Sequence, residues 1–178
     1  PYWDFLESPD IHLAMKGIQA VAPKSRVSVE TLLQCDYERI TPNGEHFLSS
    51  DQDYLIGGAF KQSNRKFRSG NFSICLHENA HFGSNIELEV KPQENYKLTV
   101  WKYPYHAEGL VVFSAPLEKE FYVVAQKTIQ VDEQGWGKME LEVKTPDFIN
   151  GKYKIYIWNP RNDSVYFDDF SIEKLIIR

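Results

Sequence analysis

Two adjacent carboxylates, Asp168 and Asp169, lie in an aromatic and β-branched run over residues 166–172. Such a run is typical of a β-strand. Because side chains alternate along a strand, Asp168 would share an apolar, core-facing side with Tyr166 and Phe170. A buried carboxylate requires hydrogen-bond donors, a cationic partner or a metal ion. We therefore expect Asp168 to be buried and partnered. The alternative is a frayed or bulged strand in which both aspartates meet water.

The segment 76–83 carries His77, Glu78 and His81, whose spacing superficially matches the zinc-protease pattern His-Glu-x-x-His. That pattern binds zinc only where a helix places both imidazoles on one face. Here the segment follows a predicted strand and ends in Phe82-Gly83, which favours a turn. We interpret the histidines as loop residues, not as metal ligands.

Other catalytic signatures are missing from the sequence: it has no Gly-x-Ser-x-Gly elbow, no glycine-rich phosphate loop and no cysteine–histidine motif. The acid pairs Glu118/Glu120 and Asp132/Glu133 could flank a glycosidic bond. We interpret them instead as surface charge at strand ends, and expect a protein that is not an enzyme.

The 178-residue chain has 20 basic and 25 acidic side chains, a net charge of −5. This balance argues against nucleic acid as the main partner, and the basic segment 61–68 is interpreted as a solvated loop. No apolar run approaches the roughly 18 residues of a transmembrane helix. Because the sequence begins at Pro1 without methionine, we expect a piece of a longer protein, with any export signal missing. Cys35 and Cys75 fit either a disulfide or two buried thiols.

Residues 1–30 differ from the remainder. Asp10 is a plausible N-cap for a short helix that Gly17 and Pro23 limit in length. We expect an N-terminal extension over 1–30, either a short helix docked on the main domain or the tail of a preceding one.

From Leu32 onward the sequence predicts β-strands separated by turn signals such as Pro42-Asn43-Gly44. Many short strands without intervening helices predict an all-β, antiparallel sandwich over residues 31–178. In the strand 152–158, one face would carry Tyr153, Ile155 and Ile157, and the other Lys154, Tyr156 and Trp158. The predicted strands are Leu32–Glu38, Tyr54–Phe60, Phe72–Leu76, Asn85–Val90, Tyr96–Trp101, Leu110–Phe113, Phe121–Ala125, Lys138–Val143, Lys152–Trp158 and Ser164–Ile177.

Six motifs follow one another in a familiar order. They are Cys35-Asp36-Tyr37-Glu38, the run 68–76 (RSGNFSICL), the run 96–101 (YKLTVW), Glu133-Gln134-Gly135-Trp136, the run 153–159 (YKIYIWN) and the run 166–170 (YFDDF). In this order they resemble the galactose-binding-like jelly rolls, especially carbohydrate-binding modules of families 4, 9, 16 and 22. The resemblance covers about residues 33–175.

The resemblance implies a jelly-roll sandwich with a structural calcium ion between the first strand, the Ser-Gly turn and the last strand. Calcium takes six to eight oxygen ligands, which carboxylates and loop carbonyls can supply. The alternative is an ion pair in the same place, made by Arg39. The candidate calcium ligands are Glu38, Asp168, Asp169 and the backbone carbonyls near Ser69 and Gly70.

The resemblance also implies sugar binding through exposed aromatic rings. Trp101, Trp136 and Trp158 match positions that recur as packing aromatics, so each is expected in the core more often than in a binding platform. Tyr103 and Tyr105, held by the neighbouring Pro104, are the best ring candidates. The full set of ligand-binding candidates is Tyr103, Tyr105, Trp136, His77 and Glu78.

Our leading hypothesis is a non-catalytic, carbohydrate-binding-module-like domain of a larger bacterial protein, located outside the cell, at its surface or in the periplasm. Its partners would be an oligo- or polysaccharide and the other domains of its parent. The main alternative is a structural spacer or protein-interaction module on the same scaffold, and a weaker one is an accessory domain that completes an enzyme's active site. An open groove at Tyr103, Tyr105 or Trp136 would favour the sugar hypothesis.

Overall fold

A computed structural model of the chain describes residues 27–116, 120–147 and 151–177. The predicted N-terminal helix lies outside these ranges. The described residues form thirteen β-strands and one short 3-10 helix, Ala59–Lys61. The strands are β1 (Val27–Cys35), β2 (His46–Leu48), β3 (Leu55–Gly57), β4 (Gln62–Ser63), β5 (Ser73–Leu76), β6 (Phe82–Val90), β7 (Asn95–Tyr103), β8 (Leu110–Ser114), β9 (Tyr122–Ala125), β10 (Thr128–Val131), β11 (Gly137–Lys144), β12 (Gly151–Trp158) and β13 (Val165–Ile177).

Two antiparallel sheets contain all of these strands. The first sheet has the order β10-β11-β7-β13-β5-β4, and β1 also pairs with β13. The second sheet has the order β2-β3-β6-β12-β8-β9. The predicted all-β antiparallel sandwich is confirmed.

Each predicted strand overlaps an observed one. β1, however, begins at Val27, where it pairs with Ile177, so residues 27–30 are strand although they were placed in the extension. The sequence prediction missed β2, β4 and β10, which have three, two and four residues. Segments this short carry too little alternation to be recognised.

The core lies between the inner faces of the two sheets. In β12, Tyr153, Ile155 and Ile157 are fully buried, while Lys154 is exposed and Tyr156 is half-buried, as the alternation predicts. Full burial of a large apolar side chain stabilises the folded state by about 1.5–3 kcal/mol. The alternating pattern therefore fixes which side chains remain available on the outside.

β13 lies inside the first sheet, between β7 and β5. Its pairing with β7 is interrupted by a bulge between Asp168 and Ser171, where Asp169 has φ +50. Before the bulge Phe167 points into the core, so the expectation that Tyr166 faces the core is wrong; Tyr166 is half-buried. A bulge adds one residue to one strand and changes which residues face inward.

The two cysteines are free thiols in the structure. Cys35 is buried, and burial raises the pKa of its thiol to about 12, because the thiolate would be desolvated. Cys75 is half-buried and its pKa is also raised by burial. Neither thiol is activated as a nucleophile. No helix in the described ranges is long and apolar enough to cross a membrane.

Candidate functional site

Asp168 is fully buried at the bulge and is held by backbone donors. Its Oδ2 accepts hydrogen bonds from the N–H groups of Arg68 at 2.7 Å and Ser69 at 3.2 Å, and its Oδ1 accepts one from Asp169 N–H at 2.8 Å. Burial raises the pKa of this carboxyl to about 7, against the opposing effect of the N–H donors. The sequence correctly predicted a buried, partnered carboxylate.

Asp169 points away from the core and pairs with Arg68. The Arg68 Nη1 lies 2.8 Å from Asp169 Oδ2, and its Nε lies 3.1 Å from Asp132 Oδ2. The guanidinium carbon lies 3.7 Å from the ring centre of Trp101. Ser69 Oγ donates to Asp169 Oδ1 at 2.6 Å. Arg68 thus connects the turn between β10 and β11, the bulge of β13 and the Trp101 ring of β7.

Glu38 anchors the same turn from the other side. Its Oε1 accepts hydrogen bonds from the N–H groups of Asn71 at 2.7 Å and Phe72 at 2.8 Å. A Cβ on Gly70 would lie 2.3 Å from this oxygen, so the missing side chain permits the close approach. The structure therefore brings one carboxylate cluster together, consisting of Glu38, Ser69, Gly70, Asp168 and Asp169.

The cluster fits calcium poorly. Both carboxylate oxygens of Asp168 and of Asp169 already accept hydrogen bonds, and Arg68 adds a positive charge beside them. In the described ranges no group of three or more His, Cys, Asp or Glu side chains could hold a metal ion. Calcium here stays a prediction of the resemblance. Arg39, the alternative cation, donates instead to the carbonyls of Ser49 and Ser50.

The predicted ring platform lies at one end of the first sheet. Tyr105 is 46% exposed, but Trp136 is completely buried, with its ring centre 5.6 Å from that of Tyr103. Trp136 cannot present a ring face to a ligand, so its inclusion in the platform was wrong. The Lys66 ammonium lies 4.2 Å from the ring centre of Tyr103. Two outward rings of this sheet, Trp101 and Tyr103, are thus each covered by a cation.

The second sheet presents an aromatic cluster on its outer face. Phe82 stacks on Trp158, with ring centres 5.8 Å apart and an interplanar angle of 10°, and meets Tyr156 edge-on at 5.9 Å. Phe82 lies opposite Trp158 in the register of β6 and β12, which places both rings on one face. Phe82 is 54% exposed. Stacked rings of this kind offer a rigid apolar surface.

A groove of about 400 Å³ runs beside this cluster. Its base contains Gly57, Gly58 and Gly83, where a Cβ on Gly83 would lie 2.7 Å from Ile74. We call this feature the aromatic groove. Its side chains are Phe60, Lys61, Phe82, Asn85, Lys154 and Tyr156.

A second groove, of about 630 Å³, adjoins the first and shares Phe60 and Lys61 with it. His77 and Glu78 line this second groove, whereas Tyr103 and Tyr105 line neither. His77 and Ala80 exchange backbone hydrogen bonds in a tight turn, as predicted, so no zinc-binding helix forms here.

Sequence reasoning did not select Phe60, Phe82 or Tyr156 as site residues. A usable signal was present in β12, whose outer face was predicted to carry Tyr156 and Trp158. Phe82 could not be recognised, because its position opposite Trp158 depends on strand pairing between distant segments.

No protein-family model matches the chain, and no curated protein matches it. Solved structures do. The CBM22-1 xylan-binding domain of Paenibacillus barcinonensis Xyn10C is 11% identical, with a TM-score of 0.53 over 83% of this chain and 96% of that one. The chain has the jelly-roll fold of the carbohydrate-binding modules. At this identity the likeness shows the fold alone, and it confirms the predicted resemblance at that level.

Other similar structures are less close in shape. A xylan-binding domain of CBM 22 is 11% identical over 80% of this chain and 93% of its own, with a TM-score of 0.49. The CBM22-1-GH10 modules of Clostridium thermocellum xylanase Xyn10B, complexed with xylohexaose, are 16% identical with a TM-score of 0.46. That match covers 64% of this chain and 24% of the xylanase chain.

Proposed function

We propose that this chain is a non-catalytic carbohydrate-binding domain whose glycan lies along the aromatic groove. The observation that carries the proposal is the outward stack of Phe82 on Trp158 beside an open groove. The apolar faces of sugar rings pack on aromatic rings, and such rings lose little conformational entropy on binding. The protein would work outside the cell, at its surface or in the periplasm, as one domain of a longer protein.

A non-catalytic role agrees with how one of the candidate glycosidase acids is used. Asp132, one of the candidate glycosidase acids, accepts hydrogen bonds from the N–H groups of Gln134 and Trp136 and pairs with Arg68. It holds a turn together. The xylan-binding domain of Xyn10C, whose fold this chain shares, supports glycan as the partner class.

Affinity electrophoresis of wild type and Phe82→Ala, in gels containing xylan, galactan, β-glucan or pectin, would test the proposal. We expect about a tenfold loss of affinity, since an aromatic ring that the ligand covers on binding contributes more than about 1 kcal/mol. Tyr105→Ala is the matched control, because it removes an exposed ring outside both grooves.

Either of two results would contradict the proposal. If Tyr105→Ala abolishes binding and Phe82→Ala does not, the site is the platform first predicted from the sequence. If folded wild-type protein binds no glycan, the spacer or protein-interaction alternative gains ground.

That alternative has one observation in its favour. The edge strands β9 and β10 end the two sheets and expose Tyr122, Val124, Ile129 and Val131. Exposed apolar edge strands can pair with a partner chain.

A further inference from the structure

The aromatic groove is lined by two cations and no acid. Lys61 and Lys154 contribute ammonium groups, and none of the groove's described side chains is Asp or Glu. This is notable in a chain whose net charge is −5. The positive groove is therefore a local feature and not a result of overall composition.

Neither lysine forms an ion pair with a carboxylate in the described part of the chain. Lys61 Nζ donates to the carbonyl of Phe82 and lies 4.4 Å from the ring centre of Phe60. Burial lowers the pKa of Lys61, with no carboxylate acting against it. An ammonium in this position gains most from a ligand that brings a negative charge.

The acid nearest to Lys154 in strand register is Glu87, directly across on β6. Glu87 does not line the groove, is largely exposed and pairs with Lys152 at 3.9 Å. Among the described residues, the adjoining groove is lined by Lys61, Arg65 and a single acid, Glu78. The positive character thus continues past Phe60.

We infer that the aromatic groove selects glycans that carry carboxylate groups, that is, chains containing uronic acids. The inference rests on the proposed function and specifies the ligand class of the same site. Sugar hydroxyls need both donors and acceptors, and an ammonium group offers only donors. A carboxylate on the sugar satisfies Lys61 and Lys154 through charge-assisted hydrogen bonds, while a neighbouring sugar face rests on Phe82.

Isothermal titration with matched polysaccharide pairs would test this inference. The probes are glucuronoxylan and polygalacturonate, each beside its carboxyl-reduced, neutral counterpart. We expect wild type to bind the acidic member about 10- to 100-fold more tightly, the range that one charge-assisted hydrogen bond provides. Lys154→Gln and Lys61→Gln should each reduce this preference.

Lys152→Gln is the control, because it removes the same charge from the same strand outside the groove. Lys154 is exposed, so its variant reports on binding even if the partly buried Lys61 cannot be replaced without loss of folding. Equal wild-type affinity for both members of a pair would overturn acid selection and leave the glycan proposal standing. Absence of binding to every probe would overturn both.

A third arm uses dextran sulfate to separate carboxylate recognition from attraction to any polyanion. We expect Lys152→Gln to weaken binding to dextran sulfate as much as Lys154→Gln does, because long-range attraction depends on total charge. If Lys152→Gln also removes the preference for uronic acids, the groove makes no specific contact and the inference fails.

Discussion

Asp168 combines complete burial with three backbone donors, and this pairing gives a prediction at the scale of one residue. In Asp168→Asn, the amide NH₂, which cannot accept a hydrogen bond, faces an N–H donor that previously met a carboxyl oxygen. We expect unfolding free energy to fall by about 1–3 kcal/mol, the cost of an unsatisfied buried group, measured by urea denaturation. Asp163→Asn, at an exposed position, should have no effect.

The same residue makes stability depend on pH. Its folded-state pKa of about 7 lies above the ordinary value of 3.8, so the folded protein binds more protons than the unfolded chain between these pH values. Its contribution to folding is largest below about pH 4 and is lost as the pH rises through 7. The stability difference between wild type and Asp168→Asn should therefore shrink from pH 4 to pH 8. A difference that grows would show that the N–H donors outweigh burial.

At this scale the sequence predicted the buried carboxylate from its apolar flanks but not its partners. Arg68 and Asp169 are 101 positions apart, and only the folded sheet brings them together. A bulged strand was our alternative, in which both aspartates would meet water, but the bulge at Asp169 leaves Asp168 buried.

Gly83 gives a prediction at the scale of the strand. A Cβ there would lie 2.7 Å from Ile74 and 2.9 Å from Leu76, both on β5 of the facing sheet. We expect Gly83→Ala to lower the unfolding free energy by about 1–3 kcal/mol through overpacking, as measured by urea denaturation. Gly57→Ala is the matched control, since its Cβ would meet Asn85 at an ordinary 3.4 Å. Equal losses in the two variants would exclude overpacking at β5 as the cause.

The longer strands were predictable because their buried faces repeat every second residue, as Tyr153, Ile155 and Ile157 do in β12. The residues of the aromatic groove could not be predicted from this alternation. Its ring Phe82 comes from β6 and its cation Lys61 from the short 3-10 helix, and the two meet only through sheet pairing and loop closure. Trp136, although a candidate for the platform, is fully buried, as its match to a packing position indicated.

For the whole molecule, the carboxylate cluster predicts how stability responds to metal removal. If Arg68 and the backbone N–H groups are the only partners of these carboxylates, a chelator such as EDTA should leave the Tm unchanged. A calcium ion at 100 times its Kd would add about 2.7 kcal/mol, or roughly 5–10 °C in a domain of this size. Differential scanning calorimetry in calcium and in EDTA would distinguish the arginine-held cluster from a calcium-bound one.

Glu38→Gln is the control for that experiment. A chelator-dependent shift in wild type that disappears in this variant would establish calcium at the cluster and contradict the arginine-held arrangement.

The central place of β13 has a consequence for biosynthesis. β1 pairs with β13 and, in the described ranges, with no other strand, while β7 and β5 meet only through it. Residues 165–177 are translated after every strand that they join. A nascent chain leaving the ribosome must keep β1 unpaired, and β5 paired with β4 alone, until this strand emerges, and their core-facing side chains stay open to chaperones during that interval.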